Sequence, residues 1–176
     1  MNRNAFIIAV SLIVANPCCG AQQIPALQVT TLDKSQITLP LPGSTKPLLI
    51  LVAFSRKGGD DTAAWNMHFR ANYETDPRID YIELADLEGI PSVVLAMILH
   101  GMRRSVQEPE RSRLAPLFSQ GELWKRLVAE GDPNIAYVVV ADPAGHVVWQ
   151  TKGPASDDKA KALEAAILQL EARVRP

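Results

Sequence analysis

The side chains here that could carry thiol chemistry are two adjacent cysteines, Cys18 and Cys19, and the chain has no others. A thiolate pair could serve disulfide exchange or peroxide reduction. Both fall in a stretch with the anatomy of a secretory leader: Arg3, an uncharged apolar run from Ala5 to Ala15, Asn16-Pro17, then Cys19-Gly20-Ala21. Cleavage is expected after Ala21, which leaves a mature chain without cysteine and stability that rests on packing alone. Ala15, Asn16 and Pro17 precede Cys18, where lipid attachment wants a branched apolar residue and then small ones, so simple cleavage is preferred. The apolar run is well short of the roughly 20 residues that a membrane-spanning helix needs, and no transmembrane segment is expected in the mature chain.

Other chemistry finds little support. Lys57-Gly58-Gly59 reverses the order of glycine and lysine in a phosphate loop and lacks its spacing. His68, His100 and His146 are far apart, none with a second ligand at metal-binding spacing. Ser55 has no nucleophile-elbow pattern around it. No catalytic residue, metal or cofactor is expected. A formal net charge of −1 argues against nucleic acid as a partner.

The elements must then say what positions what. Leu27 and Val29 alternate with polar residues, a turn falls at Asp33-Lys34-Ser35, and Gln36 to Leu39 returns, which predicts a hairpin. Pro40, Pro42, Gly43 and Pro47 make a linker. Leu48 to Phe54 is a continuous apolar run suited to a strand covered on both faces. The polar glycine turn Ser55 to Asp61 follows, and then a predicted helix from Thr62 to Tyr73. Ile79 to Leu84 reads as a strand, Val93 to about Arg104 as a helix, and Leu114 to Val128 as one short helix or two. Ala136 to Ala141 and His146 to Gln150 read as an antiparallel pair across Asp142-Pro143-Ala144-Gly145. A last helix from Ser156 puts Ala160, Leu163, Ile167, Leu170 and Val174 on one stripe.

A hairpin followed by β-α-β-α-β-β-α predicts an α/β fold, a three-layer sandwich with a mixed central sheet. It resembles the thioredoxin-like fold. The expected divisions are a signal peptide over 1–21, hairpin and linker over 22–47, and the thioredoxin-like domain over 48–176. In thioredoxins and peroxiredoxins the reactive cysteine sits in the turn after the first central strand, where free backbone N–H groups and the helix dipole favour a thiolate. Here that turn, Ser55 to Asp61, has no sulfur. Thiol oxidoreductase and thiol peroxidase activities are therefore expected to be excluded, unless Cys18 and Cys19 survive processing and fold back to this turn, and the chain is expected not to be an enzyme.

Three stretches are similar to the mitochondrial ATP synthase assembly factor family known as ATPase complex subunit ten, and to its bacterial relatives. They are Phe54-Ser55-Arg56 with Gly58 or Gly59 and Trp65 beyond; Gly101-Met102-Arg103-Arg104 closing an apolar helix; and Asn134 through Asp142, Val148-Trp149, Gly153 and Ala155. The resemblance runs from about Leu48 to Val174 and implies a redox-inactive assembly factor that holds a protein client, such as a membrane-complex subunit. Gln150-Thr151-Lys152 departs from the family pattern, and an export signal replaces a mitochondrial address. The expected location is the periplasm or cell envelope.

Two groups of residues are left as binding candidates. The helix from Val93 is apolar nearly all round and reads first as a core helix, with Val93 and Met97 on a partner-facing side as the alternative. Arg103, Arg104, Arg111 and Arg113 form the densest basic cluster. An alternative function follows from it: binding or conversion of a small anionic ligand at the Arg56/Arg103 end of the sheet. Trp65 belongs to the same candidate set, with packing as its plainer role.

Overall fold

The computed structural model describes residues 22–73 and 78–174. Cys18, Cys19 and the leader lie outside them. A five-stranded mixed sheet organises the chain, in the order β5-β4-β3-β6-β7. β3 (Leu48–Ala53) lies at its centre, parallel to β4 (Asp80–Asp86) and antiparallel to β6 (Tyr137–Ala141). β5 (Leu114–Leu117) extends the parallel side, and β7 (Val147–Lys152) pairs antiparallel with β6. Every residue of β3 and of β6 is buried, as unbroken apolar runs require of strands covered on both faces.

The two-residue period of β3 divides the core. Leu49 and Leu51 meet Trp65, Phe69 and Tyr73 of α1 (Arg56–Tyr73) and Leu163, Ile167 and Leu170 of α4 (Asp157–Val174). Leu48, Ile50 and Val52 meet Trp124 of α3 (Gly121–Leu127) and, from the hairpin β1 (Leu27–Thr30) and β2 (Gln36–Leu39), Leu27, Val29 and Leu39. The hairpin thus supplies part of one core layer, and the Leu32 amide donates to the Leu114 carbonyl at 2.9 Å. The result is the expected three-layer α/β sandwich with a mixed sheet and an N-terminal antiparallel hairpin.

Three local expectations are corrected. α1 begins at Arg56, six residues before the predicted Thr62, so Lys57 to Asp61 are helical. Ser55 caps it: its Oγ accepts from the Gly58 amide at 3.1 Å, and its carbonyl accepts from the Gly59 amide. Leu114–Leu117 is a strand where a helix was predicted. Parallel pairing with Glu83–Asp86 overrides helical tendency there, and Pro116 is tolerated because β5 is an edge strand. The third concerns α2 (Ser92–Ser105), read first as a core helix: none of its residues is buried.

Candidate functional site

α1 and α2 stand apart at the C-terminal end of β3 and β4, and between them lies a groove of 1040 Å³. One wall is the α1 stripe of Gly59, Ala63, Asn66, Met67 and Arg70; the other is the α2 stripe of Ile98, Gly101, Met102 and Ser105. Both repeat at helical spacing, so each helix offers one face to the gap. The floor comes from the strand ends, with Phe54, Glu83, Ala85 and Asp86. Gly59 and Gly101 have open space where a Cβ would stand and no left-handed backbone. A glycine inside a helix costs about 0.5–1 kcal/mol relative to alanine, and no packing within the chain explains it here.

The start of α1 is fixed by a neighbouring loop. Asp132–Ile135 lies against it, and a Cβ on Gly58 would stand 2.9 Å from the Pro133 carbonyl oxygen and 3.0 Å from that of Ile135. Tyr137 shapes this loop: its hydroxyl accepts from the Gly131 and Asp132 amides and donates to the Asp132 carbonyl. Pro133 therefore sits beside the turn although it precedes β6 by several residues. Gly58→Ala is expected to cost about 1–3 kcal/mol by overpacking, read as a lowered urea midpoint.

Glu83 is the least expected feature of the groove. Within β4, Tyr81 and Glu83 point to the α1 side and Ile82 and Leu84 to the opposite core. Glu83 Oε1 accepts from the Thr62 hydroxyl at 2.6 Å, and Oε2 lies 3.5 Å from the Tyr81 hydroxyl. Burial holds its carboxyl above the usual carboxylate range, and the Glu110 carboxylate adds to the rise, against the pull of hydrogen bonds from Thr62, Tyr81 and Asn66. Burial likewise keeps the Tyr81 phenol protonated far into the alkaline range.

The native state therefore binds the Glu83 proton more tightly than the unfolded chain does, and this group's contribution to stability falls as pH rises through its elevated pKa. Glu83→Gln, which keeps the acceptor for Thr62, is expected to raise the thermal midpoint at neutral pH. The gain should vanish as pH drops below the ordinary carboxylate range, a crossing visible in melts across that interval.

The structure separates the candidates named from sequence. Arg56 is exposed at the mouth of the groove. Arg103 turns elsewhere, donating from Nε to the Leu32 carbonyl at 3.3 Å, and Arg111 Nη2 donates to the Arg103 carbonyl at 2.6 Å. Half of the basic cluster thus holds backbone, tying the end of α2 to the hairpin and to the 3₁₀ turn Glu108–Arg113. Arg104 is exposed on α2. Arg56 and Arg103 do not share the groove, and no geometry here supports an anion site between them.

Val93 and Met97 are 76% and 72% exposed, and they extend the apolar surface over the flank of α2 outside the groove lining. Trp65 is 1% exposed, packed in the α1–α4 core, with its Nε1 donating to the Gly153 carbonyl at 2.9 Å. Of the histidines, His146 faces Asp142 at 3.1 Å, His68 lies on α1 near Asn72, and His100 is exposed. Glu83 is absent from the candidates that the sequence offers. The available signal is an acid in phase with Tyr81 at the middle of a strand whose other face is centred on Ile82 and Leu84.

The chain matches no family profile and no curated protein. Among solved structures, it is similar to the exposed lipoprotein thioredoxin Etrx1 of Streptococcus pneumoniae, with a TM-score of 0.57 and 10% identity over 81% of this chain and 98% of that one. A thiol-disulfide oxidoreductase from Bacteroides fragilis gives 0.56 at 10% identity, covering 82% and 98%. The thioredoxin domain of a thiol-disulfide oxidoreductase from Bacteroides vulgatus gives 0.52 at 14%, covering 84% and 96%. The fold is thioredoxin-like.

These comparisons correct the expectation that the chain is not an enzyme and that thiol chemistry is excluded. Proteins of matching fold are thiol-disulfide oxidoreductases. Both cysteines lie outside the described residues, so counting them does not remove the thiol chemistry of the fold. A narrower statement stands: no described residue carries a thiol, at the Ser55 turn or elsewhere.

Proposed function

We propose that this chain is an exported thioredoxin-fold protein that binds a segment of a protein client, a membrane or envelope protein, in the groove between α1 and α2. The observation that carries this reading is α2 itself: a 14-residue apolar helix with no buried residue. Isolated exposed apolar residues are ordinary, but Val93, Val94 and Met97 stand together on one helix, with Met67 exposed across the groove. Contiguous patches of this kind mark interaction surfaces. Methionine on both rims suits a surface that adapts to its partner. The groove reaches the top of the roughly 300–1,000 Å³ range of small-molecule pockets and is flanked by two helices, which favours a polypeptide segment.

An apolar groove fits a membrane-destined segment better than a polar one. The resemblance to the ATP synthase assembly factors points towards such a client and remains part of the proposal. The leader-like N-terminus supports export, as does the exposed-lipoprotein character of the pneumococcal neighbour. The test is a photoreactive residue placed at Met97, at Met67, or at Leu168 of α4, which is also exposed. A discrete adduct with one envelope protein from both Met67 in the groove and Met97 on the adjoining flank of α2, absent from Leu168, is the expected result. Adducts of equal pattern at all three positions would overturn the reading.

A second reading, thiol–disulfide exchange, is favoured by the activity of the Bacteroides neighbours. It is tested by turnover of a model disulfide with the full chain against a Cys18→Ser/Cys19→Ser variant. Rates that do not differ between the two would count against it.

A further inference from the structure

Along Ala63, Met67, Ile98 and Met102 the groove walls are apolar while the floor is acidic, and that mismatch restricts what can occupy it. Glu83 is flanked by neutral hydrogen-bonding groups, the hydroxyls of Thr62 and Tyr81 and the side chain of Asn66. The ion pairs on the surrounding walls bypass it: Arg70 pairs with Glu110, and Lys125 lies 3.7 Å from Asp86. Among the described residues Glu83 itself forms no ion pair. A desolvated carboxylate without a cation is costly, and a charge brought to it in a low-dielectric site interacts more strongly than one at the surface.

Resting on the client-binding reading above, we infer that Glu83 receives a lysine side chain of the docked segment, so that the groove selects an apolar segment carrying a lysine. The walls suit the stem of that residue. Ala63, Met67, Ile98 and Met102 line the way to the floor, and the open positions at Gly59 and Gly101 let a partner backbone approach closely. Lysine buries an aliphatic stem along apolar surface and delivers a compact charge at its tip. Thr62 engages Oε1 at 2.6 Å, Tyr81 approaches Oε2 at 3.5 Å, and Asn66 also hydrogen-bonds the carboxyl, all of them neutral groups. A carboxyl whose two oxygens both already have neutral partners suits the point charge of an ammonium better than the two-pronged fork of arginine, which needs both oxygens free.

The test uses the full chain and two otherwise identical leucine/alanine peptides, one with a central lysine and one with norleucine, compared by fluorescence anisotropy. The lysine peptide is expected to bind about tenfold more tightly, and the ratio to collapse towards one in Glu83→Gln. The ratio should also shrink as pH falls through the Glu83 titration, measured on the unaltered chain. Arg70 from α1, Tyr81 from β4, and Glu110 and Arg113 from the 3₁₀ turn share that environment. Equal, measurable binding of both peptides would overturn the lysine assignment and leave the groove reading standing. A preference that survives in Glu83→Gln would also overturn it, placing lysine recognition elsewhere. Binding of neither peptide would overturn both.

Discussion

Trp65→Ala is expected to destabilise the protein by about 3–5 kcal/mol, the range for deleting a large aromatic from a packed core. The indole is 1% exposed, in the core layer that α1 and α4 share on one face of the sheet, beside Phe69, Leu163 and Ile167. Truncation removes that contact area and leaves the Gly153 carbonyl without the donor now 2.9 Å away. A domain of this size has a total stability of only about 5–15 kcal/mol. The variant should therefore show a strongly lowered urea midpoint. Its binding should weaken only in proportion to the unfolded fraction, because Trp65 belongs to the scaffold. A variant that stays fully folded yet loses its partner would assign the indole to the binding surface.

The double substitution Val93→Ser/Met97→Ser is expected to do the opposite. Both side chains are largely in solvent, so stability should stay within about 0.5 kcal/mol of the parent. Binding of the apolar lysine peptide should fall by at least tenfold, since a fully buried side chain of this class contributes about 1.5–3 kcal/mol. Anisotropy gives the affinity and a thermal melt the stability. Unfolding of the double variant would return α2 to the role of core helix. Unchanged affinity in a folded variant would confine binding to the groove interior.

Much of this architecture can be read from local pattern. β3 and β6 are unbroken apolar runs, and the hairpin alternates with period two, because each is dominated by one strong requirement, burial on two faces or on one. The misread elements depend on distant partners. Gly58-Gly59 reads as a turn until Ser55 caps the chain at that point and the Pro133 and Ile135 carbonyls close over Gly58. Leu114-Ala-Pro-Leu117 is too short to declare itself a strand without the edge of β4 beside it.

The candidate site was legible in part. Periodicity identifies an apolar helix at α2 but does not say whether another element covers it, so its exposure had to come from the structure. The arginine cluster illustrates the converse: proximity in sequence suggested a ligand site, whereas Arg103 and Arg111 spend their donors on backbone carbonyls. Glu83 was hidden because an acid in a strand reads as an outward-facing residue until α1 is found above it. Thiol chemistry is hidden for another reason. It depends on whether Cys18 and Cys19 survive processing and reach the Ser55 turn, and both lie outside the described residues.

Hydrogen exchange on the full chain, with and without the partner recovered from the Met97 adduct, tests the groove most directly. Client binding between α1 and α2 predicts slowed exchange along Ala63–Arg70 and Ile98–Ser105, with α4 unchanged. Protection confined to α4 or to the hairpin, with both groove walls exchanging as in the free protein, would contradict it.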